Sequence, residues 1–155
     1  MYNLRKMFVM LSLGFGSGLP YILLISTTTA WLRDVSIELS LIGFFAWITF
    51  AYTIKFLWAP LVDRFSVPYF SNYGHRKSWI AIMQIIIISG LLLISNIDPV
   101  QSFFLFCVVA GLIAFAGSFQ DIAIDAFRIE YAHISDQGNL AAAYQLGYRL
   151  AIIAA

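Results

Sequence analysis

The sequence predicts an all-α fold, a polytopic membrane helix bundle, and three observations carry that prediction. The 155 residues are 61% hydrophobic and only 11% charged, with a mean hydropathy of +0.86, whereas a soluble domain carries about 25% charged residues. Apolar runs recur at lengths near the ~20 residues that a helix needs to cross a hydrocarbon core. Few charges interrupt those runs: Lys55, Asp121, Asp125 and Arg149. A formal net charge of +1 supplies no basic field for nucleic acid. Cys107, the single cysteine, has no disulfide partner and no companion metal ligands, and reads as a packing residue.

Each span follows from this pattern. The first, about residues 7–32, is interrupted by Gly14, Gly16, Gly18 and Pro20. Arg5 and Lys6 precede it as they would a signal peptide, but the apolar stretch is too long and has no small-x-small cleavage site, so it reads as an uncleaved span. The second, about 39–61, contains Lys55 and closes at Pro60 and Asp63. The third, about 78–97, is the most uniform, with Ile85–Ile88 and Leu91–Leu93 at its centre. The fourth, about 100–130, is longer than the core requires at ~1.5 Å per residue, so its charged end should emerge at the interface. A fifth begins near Asn139 and reaches Ala155, giving four full spans plus part of a fifth.

Basic residues set the expected orientation. Arg5 and Lys6 precede the first span, and Arg64, Arg76 and Lys77 lie between the second and third. The opposite connections, Arg33–Glu38 and Asn96–Pro99, hold one arginine against three acids. The positive-inside rule therefore puts the N-terminus and the second–third connection in the cytoplasm. His75 and His133 then fall in solvated cytoplasmic loops. Trp31, Trp58 and Trp79 sit near span ends, as an interfacial belt would, and Trp47 is the deeper tryptophan, a candidate for stacking on a ligand.

The charges inside the runs are the candidate functional residues. One charge at the centre of a bilayer helix costs roughly 2.5–3.5 kcal/mol on insertion scales. Asp121, Asp125 and Arg128 fall at i, i+4 and i+7 and share one helix face. Counting from Glu130, Asp121 lies ~13 Å and Asp125 ~7 Å up the axis. They read as a proton site, substrate contact or gate, or as ion-paired struts. Lys55 either snorkels to the headgroups or pairs with Asp121 across helices. Arg149, ~15 Å into the fifth span, is expected to face the bundle interior and meet an acid or an anionic substrate. Gln84 and Gln120 read as interhelical glue.

An enzyme is not indicated. Gly14, Gly16 and Gly18 lack the Lys-Ser/Thr ending and the preceding strand of a phosphate loop, and read as helix packing or a flexible substrate-facing segment. No Ser/His or Cys/His pair lies at membrane depth. Both aspartates sit on one helix without the Tyr-Asp and Gly-x-Gly-Asp motifs of intramembrane aspartyl proteases. A membrane protein with a polar path is most simply a transporter.

The second–third connection, Ala59-Pro60-Leu61-Val62-Asp63-Arg64 followed by Gly74-His75-Arg76-Lys77, resembles the signature of the major facilitator superfamily. It departs from it by Ala59 in place of glycine and by an insertion, Ser66–Tyr73. More specific stretches resemble one branch, the AmpG-type muropeptide permeases and the related acetyl-CoA transporter group. They are Leu13–Pro20 (LGFGSGLP), Ile42–Phe45 (IGFF), Lys55–Arg64 (KFLWAPLVDR), Arg76–Trp79 (RKSW), Gln120–Arg128 (QDIAIDAFR) and Leu146–Leu150 (LGYRL).

The resemblance implies a partial major-facilitator fold, residues 1–155 forming the N-terminal part of the first six-helix half. It implies proton-coupled import of anhydromuropeptides across the bacterial inner membrane, for wall recycling, with the proton as coupling ion and no other cofactor. Another anionic solute such as acetyl-CoA is the alternative. A proton and substrate pathway would run through Asp121, Asp125, Lys55, Arg149 and Gln120. A cytoplasmic gating motif would comprise Asp63, Arg64, Gly74, Arg76, Lys77 and Arg128. A twelve-span fold needs C-terminal helices beyond these residues, so the sequence reads as a fragment of a longer chain, a truncated non-transporting remnant, or a protomer that rebuilds the missing spans by association.

Overall fold

A computed structural model describes residues 4–65 and 74–155. Among the described residues the chain is helical throughout, without strands, and the expected all-α membrane bundle is borne out. Three helices are long and apolar enough to cross a membrane: α1 (Leu4–Asp34), α4 (His75–Ile94) and α5 (Phe103–Tyr131). Helices α2 (Leu39–Thr53) and α3 (Lys55–Arg64) meet at a 42° bend and, taken together as one bent span, are long and apolar enough for a fourth crossing. The last helix, α6 (Gln137–Ala154), is not among the helices apolar enough to count as a span. The insertion Ser66–Tyr73 lies outside the described residues.

Two of these elements are irregular, and each carries a proline. Pro20 has no N–H, so the carbonyl of Gly16 loses its helix donor. The next turns re-register as a π-helix over Leu23–Thr27, where the Thr28 hydroxyl donates to the Leu23 carbonyl at 2.8 Å. In the second crossing Pro60 deprives Phe56 of its donor. The chain tightens into 3-10 turns at Ala46–Thr49 and Lys55–Leu57, and it bends at Ile54, whose φ and ψ are −94° and 13°. Lys55 is the first residue past the bend.

The bundle is organised around α5. Of the most apolar stretch of α5, 56% is buried, against 17% for α4, so α5 is the central helix and α4 lies on the periphery. Phe106, Ala110, Ile113, Gly117, Gln120, Ile124 and Phe127 of α5 recur every three or four residues and are all buried. Leu24, Leu32, Ile42, Phe45 and Ile87 close over its first half. Met10, Leu140 and Ala143 close over its last turns, around Phe127. Phe8, Phe104, Leu112 and Ile153 point outward, as side chains solvated by lipid would.

The closest packing is between α1 and α6. A Cβ on Gly14 would collide with the Tyr144 carbonyl, and one on Gly147 with the Leu11 carbonyl. Gly18 lies under Tyr148 in the same seam. Small residues let the two backbones touch, which fixes the register of everything else the two helices carry. Gln137 starts α6 and caps α5, donating to the carbonyls of Arg128 and Ala132 at 3.2 and 3.0 Å.

Candidate functional site

The bend after Ile54, the α1–α6 seam and the middle of α5 converge on Asp121. Ser17, in the seam, donates its hydroxyl hydrogen to Asp121 Oδ1. Tyr144 of α6 donates to Ser17 Oγ at 3.0 Å. Lys55 Nζ stands 3.6 Å from Asp121 Oδ2. Of the two pathways open to Lys55 in the sequence, its head therefore points across the bundle to Asp121. Tyr52, Tyr144 and Tyr148 are near enough to feel the carboxylate's charge, and Asp125 does so from one turn along α5. Tyr21 and Tyr52 meet edge to face, with ring centroids 4.9 Å apart. Tyr52 lies over Gly117, where any Cβ would strike its hydroxyl, and that hydroxyl is buried without a hydrogen-bond partner among the described residues.

One turn from the carboxylate, Gln120 is buried and donates from Nε2 to Gln84 Oε1 at 2.8 Å, joining α5 to α4. Its own Oε1 has no partner among the described residues. The two amides line a cavity of about 460 Å³ between α1, α4 and α5, with Lys77 and Phe127 also on its wall.

A second charged cluster sits where α3, α4 and α5 end together. Arg76 Nη1 meets Asp63 Oδ1 at 2.7 Å and Arg76 Nε meets Glu130 Oε1 at 3.0 Å. One guanidinium thus clasps the ends of α3 and α5 from the first turn of α4. Gly74 precedes that turn with φ +97°, a conformation open to glycine and costly for other residues. Lys77 turns instead toward the Phe127 ring, 5.9 Å from its centroid. Arg64 is exposed and makes no ion pair among the described residues. Arg128 pairs within its own helix with Asp125 at 3.5 Å.

One sequence expectation fails, that for His75, and one is left untested. Arg149 was expected to face the bundle interior and meet an acid or an anionic substrate; here it is exposed and makes no ion pair among the described residues. The reason is helical phase. Gly147 must face α1, and a residue two positions on is turned by about 200°. His75 is not a solvated loop residue: it opens α4, half-buried, with Nε2 2.7 Å from the Val62 carbonyl. Trp47 is largely exposed, with its ring beside that of Phe50. Trp58 is bound into the bundle, donating to Ser118 Oγ at 3.1 Å and stacked on Phe119.

Three residues around the two clusters were not singled out by sequence reasoning. Ser17 is masked by the glycines on either side of it, and a lone tyrosine such as Tyr144 carries no signal in an apolar helix. Glu130 was read only as the end of a span. An acid at the end of one helix, with Asp63 at the end of another and Arg76 between, could have revealed the clasp.

The fold is a multi-pass helical bundle that shelters a carboxylate against a lysine and a hydroxyl, and the comparisons with known proteins place the chain in a family of membrane transporters. The chain belongs to the acetyl-coenzyme A transporter family, whose model, described as Acetyl-coenzyme A transporter 1, matches residues 6–109. It is similar to the Anhydromuropeptide permease of Escherichia coli K12, with 37% identity over 145 residues, 94% of this chain and 29% of that protein. It is also similar to the AmpG 4 protein of Rickettsia conorii, with 34% identity over 152 residues, 98% of this chain and 36% of that one. The resemblance to AmpG-type permeases is borne out, and these relatives are transporters, not enzymes. The chain spans about a third of the length of the curated relatives it matches.

Proposed function

We propose that this chain forms the N-terminal part of a proton-coupled permease that imports anhydromuropeptides across the bacterial inner membrane. The N-terminus and the α3–α4 connection, with their basic residues, would face the cytoplasm. The observation that carries the reading is the half-buried carboxylate of Asp121, its side chain 16% exposed, held by Ser17 and faced by Lys55 at 3.6 Å. Intramembrane carboxylates paired in this way mark proton and substrate pathways. The similarity to a protein named Anhydromuropeptide permease supports the substrate class. Asp121, Asp125, Lys55 and Gln120 line the path in this reading, with Arg149 offered to helices outside these residues. Asp63, Arg64, Gly74, Arg76, Lys77 and Arg128 form the cytoplasmic gate, and Glu130 joins them.

A second reading, transport of acetyl-coenzyme A, is favoured by the description of the matching family. One experiment separates the two. Membrane vesicles containing the gene's full-length product are given radiolabelled anhydromuropeptide or acetyl-coenzyme A under an imposed proton gradient. The proposal expects muropeptide accumulation that an uncoupler and Asp121→Asn both abolish. Accumulation of acetyl-coenzyme A alone establishes the second reading. Uptake of neither, with a product of 17.4 kDa on immunoblot, identifies a non-transporting remnant.

A further inference from the structure

We infer that Ser17, held by Tyr144, is a positioning residue that reserves one oxygen of Asp121 and leaves the other to exchange a proton against Lys55. The inference rests on the reading of Asp121 as the coupling carboxylate.

Ser17 is 4% exposed. A serine hydroxyl has one hydrogen to donate and two lone pairs to accept. The hydrogen goes to Asp121 Oδ1, and one lone pair takes the Tyr144 hydroxyl at 3.0 Å. The chain therefore runs from Tyr144 through Ser17 to Asp121, the direction an acceptor-only carboxylate requires. Ser17 cannot drift, because Gly14 and Gly18 on either side of it set backbone contacts between α1 and α6.

The two carboxylate oxygens are consequently unequal. Oδ1 is tied to the rigid seam. Oδ2 faces Lys55 at 3.6 Å, beyond hydrogen-bond distance, and the lysine is 38% exposed on the segment that follows the 42° bend. Lys55 is the cation facing Asp121 among the described residues. The other titratable groups around it are Asp125 of α5, Tyr52 of α2, and Tyr144 and Tyr148 of α6.

A proton that adds to Oδ2 cancels the carboxylate charge and forms one O–H bond, with no other bond changed. Lys55 keeps its own proton and loses its counter-charge. Oδ1, now the carbonyl oxygen of a neutral acid, still accepts from Ser17. The carboxyl group thus stays in place while the lysine, and the bent crossing that carries it, is released. Without Ser17 the carboxyl can rotate and offer either oxygen to either partner, so proton binding no longer dictates when Lys55 leaves.

The test compares two transport modes of the full-length product in proteoliposomes, with labelled anhydromuropeptide as probe. Accumulation under a proton gradient needs the coupling step, whereas exchange against preloaded substrate needs no net proton movement. Ser17→Ala, nearly isosteric, is expected to cut accumulation about tenfold, the scale of one hydrogen bond to a charged group, and to leave exchange at the wild-type rate. Tyr144→Phe should reduce accumulation by less, and Ser17→Ala should add nothing in an Asp121→Asn background. Equal loss of both modes would mean a merely structural role and overturn the inference. Normal accumulation in Ser17→Ala beside a dead Asp121→Asn would overturn it and leave the proposed function standing. Normal accumulation in Asp121→Asn would instead remove the underlying reading. A transport-independent check uses the full-length product in lipid: infrared difference spectra, wild type minus Asp121→Asn, isolate the carboxylate bands. Ser17→Ala should shift them, and unmoved bands would overturn the proposal.

Discussion

The two charged clusters on α5 are built from the same chemistry with its burial reversed. At Asp121 the carboxylate is the sheltered partner, its side chain 16% exposed, and the cation Lys55 is 38% exposed. At the clasp the cation is sheltered, Arg76 at 15%, while Asp63 and Glu130 are 57% and 58% exposed. The difference decides how each can open. A sheltered carboxylate can shed its charge by taking a proton. Arginine does not lose its proton in a protein, so the sheltered partner of the clasp keeps its charge and opens by parting from its acids. Asp121 is suited to respond to proton supply, and the clasp to hold or release helix ends.

The strongest way to break this contrast is to attack the frame that holds only one of the clusters. Gly147→Leu forces a side chain into the Leu11 carbonyl and separates α1 from α6, carrying Ser17 away from Tyr144. Overpacking ordinarily costs ~1–3 kcal/mol, and a collision with backbone belongs at or above the top of that range. We expect a loss of about 3 kcal/mol, read from thermal unfolding in detergent, with the Arg76 clasp still formed in the folded fraction. A wild-type melting curve would show that the seam is not the frame of the Asp121 site.

The next effect concerns charge rather than packing. Asp121→Leu leaves the Lys55 ammonium without a counter-charge. Breaking a fully buried pair costs ~3–5 kcal/mol, and partial exposure of Lys55 should bring this to about 2 kcal/mol. Adding Lys55→Met removes the unpaired charge, so the double variant should recover most of the stability while remaining unable to accumulate substrate. If the double variant is no more stable than the single one, Lys55 draws little from Asp121 and the two residues are neighbours rather than a pair.

Much of this was legible in the sequence, and what was not has a physical cause. Low charge and apolar runs define a membrane bundle because lipid leaves a chain few other ways to satisfy its backbone. Asp121 stood out because a carboxylate at that depth needs a reason, and the Lys55 alternative that reached across the bundle is the one the structure shows. Asp63 and Arg76 come together across an insertion of eight residues, since both sit at helix ends that the insertion joins. For Arg149, depth without phase does not say which neighbour it meets. Depth follows from counting residues, but the direction a side chain faces depends on which neighbour the helix packs against, here fixed by Gly147. Ser17 and Tyr144 were missed for the same reason: their importance arises from contacts across three helices, with no local pattern to announce them.

A smaller effect sharpens the contrast from the clasp side. Arg76 reaches two carboxylates through two different nitrogens, Nη1 and Nε, which lysine cannot reproduce. Arg76→Lys should therefore cost about 1 kcal/mol, and Asp63→Asn, which removes one exposed acid, about 0.5 kcal/mol. Both losses should shrink as salt is raised, because exposed charges are screened within ~8–10 Å at physiological ionic strength. The Asp121→Leu loss should change far less across the same salt series. Equal salt dependence at the two clusters would erase the distinction between a sheltered and an exposed acid.

The smallest expected effect is at Asp125, which the sequence alone sets beside Asp121 as an equal. The structure separates them. Asp125 is 50% exposed and, among the described residues, paired only with Arg128, three residues on in the same helix and 3.5 Å away. Such pairs are worth ~0.2–0.5 kcal/mol, so Asp125→Asn should leave the unfolding midpoint of this chain almost unmoved. In the full-length product it should also leave gradient-driven uptake well above that of Asp121→Asn. A loss as deep as that of Asp121→Asn would mean that the open face of Asp125 is covered by helices outside these residues. Burial, not position along α5, would then still be what separates a coupling carboxylate from a surface one, with both acids on the buried side.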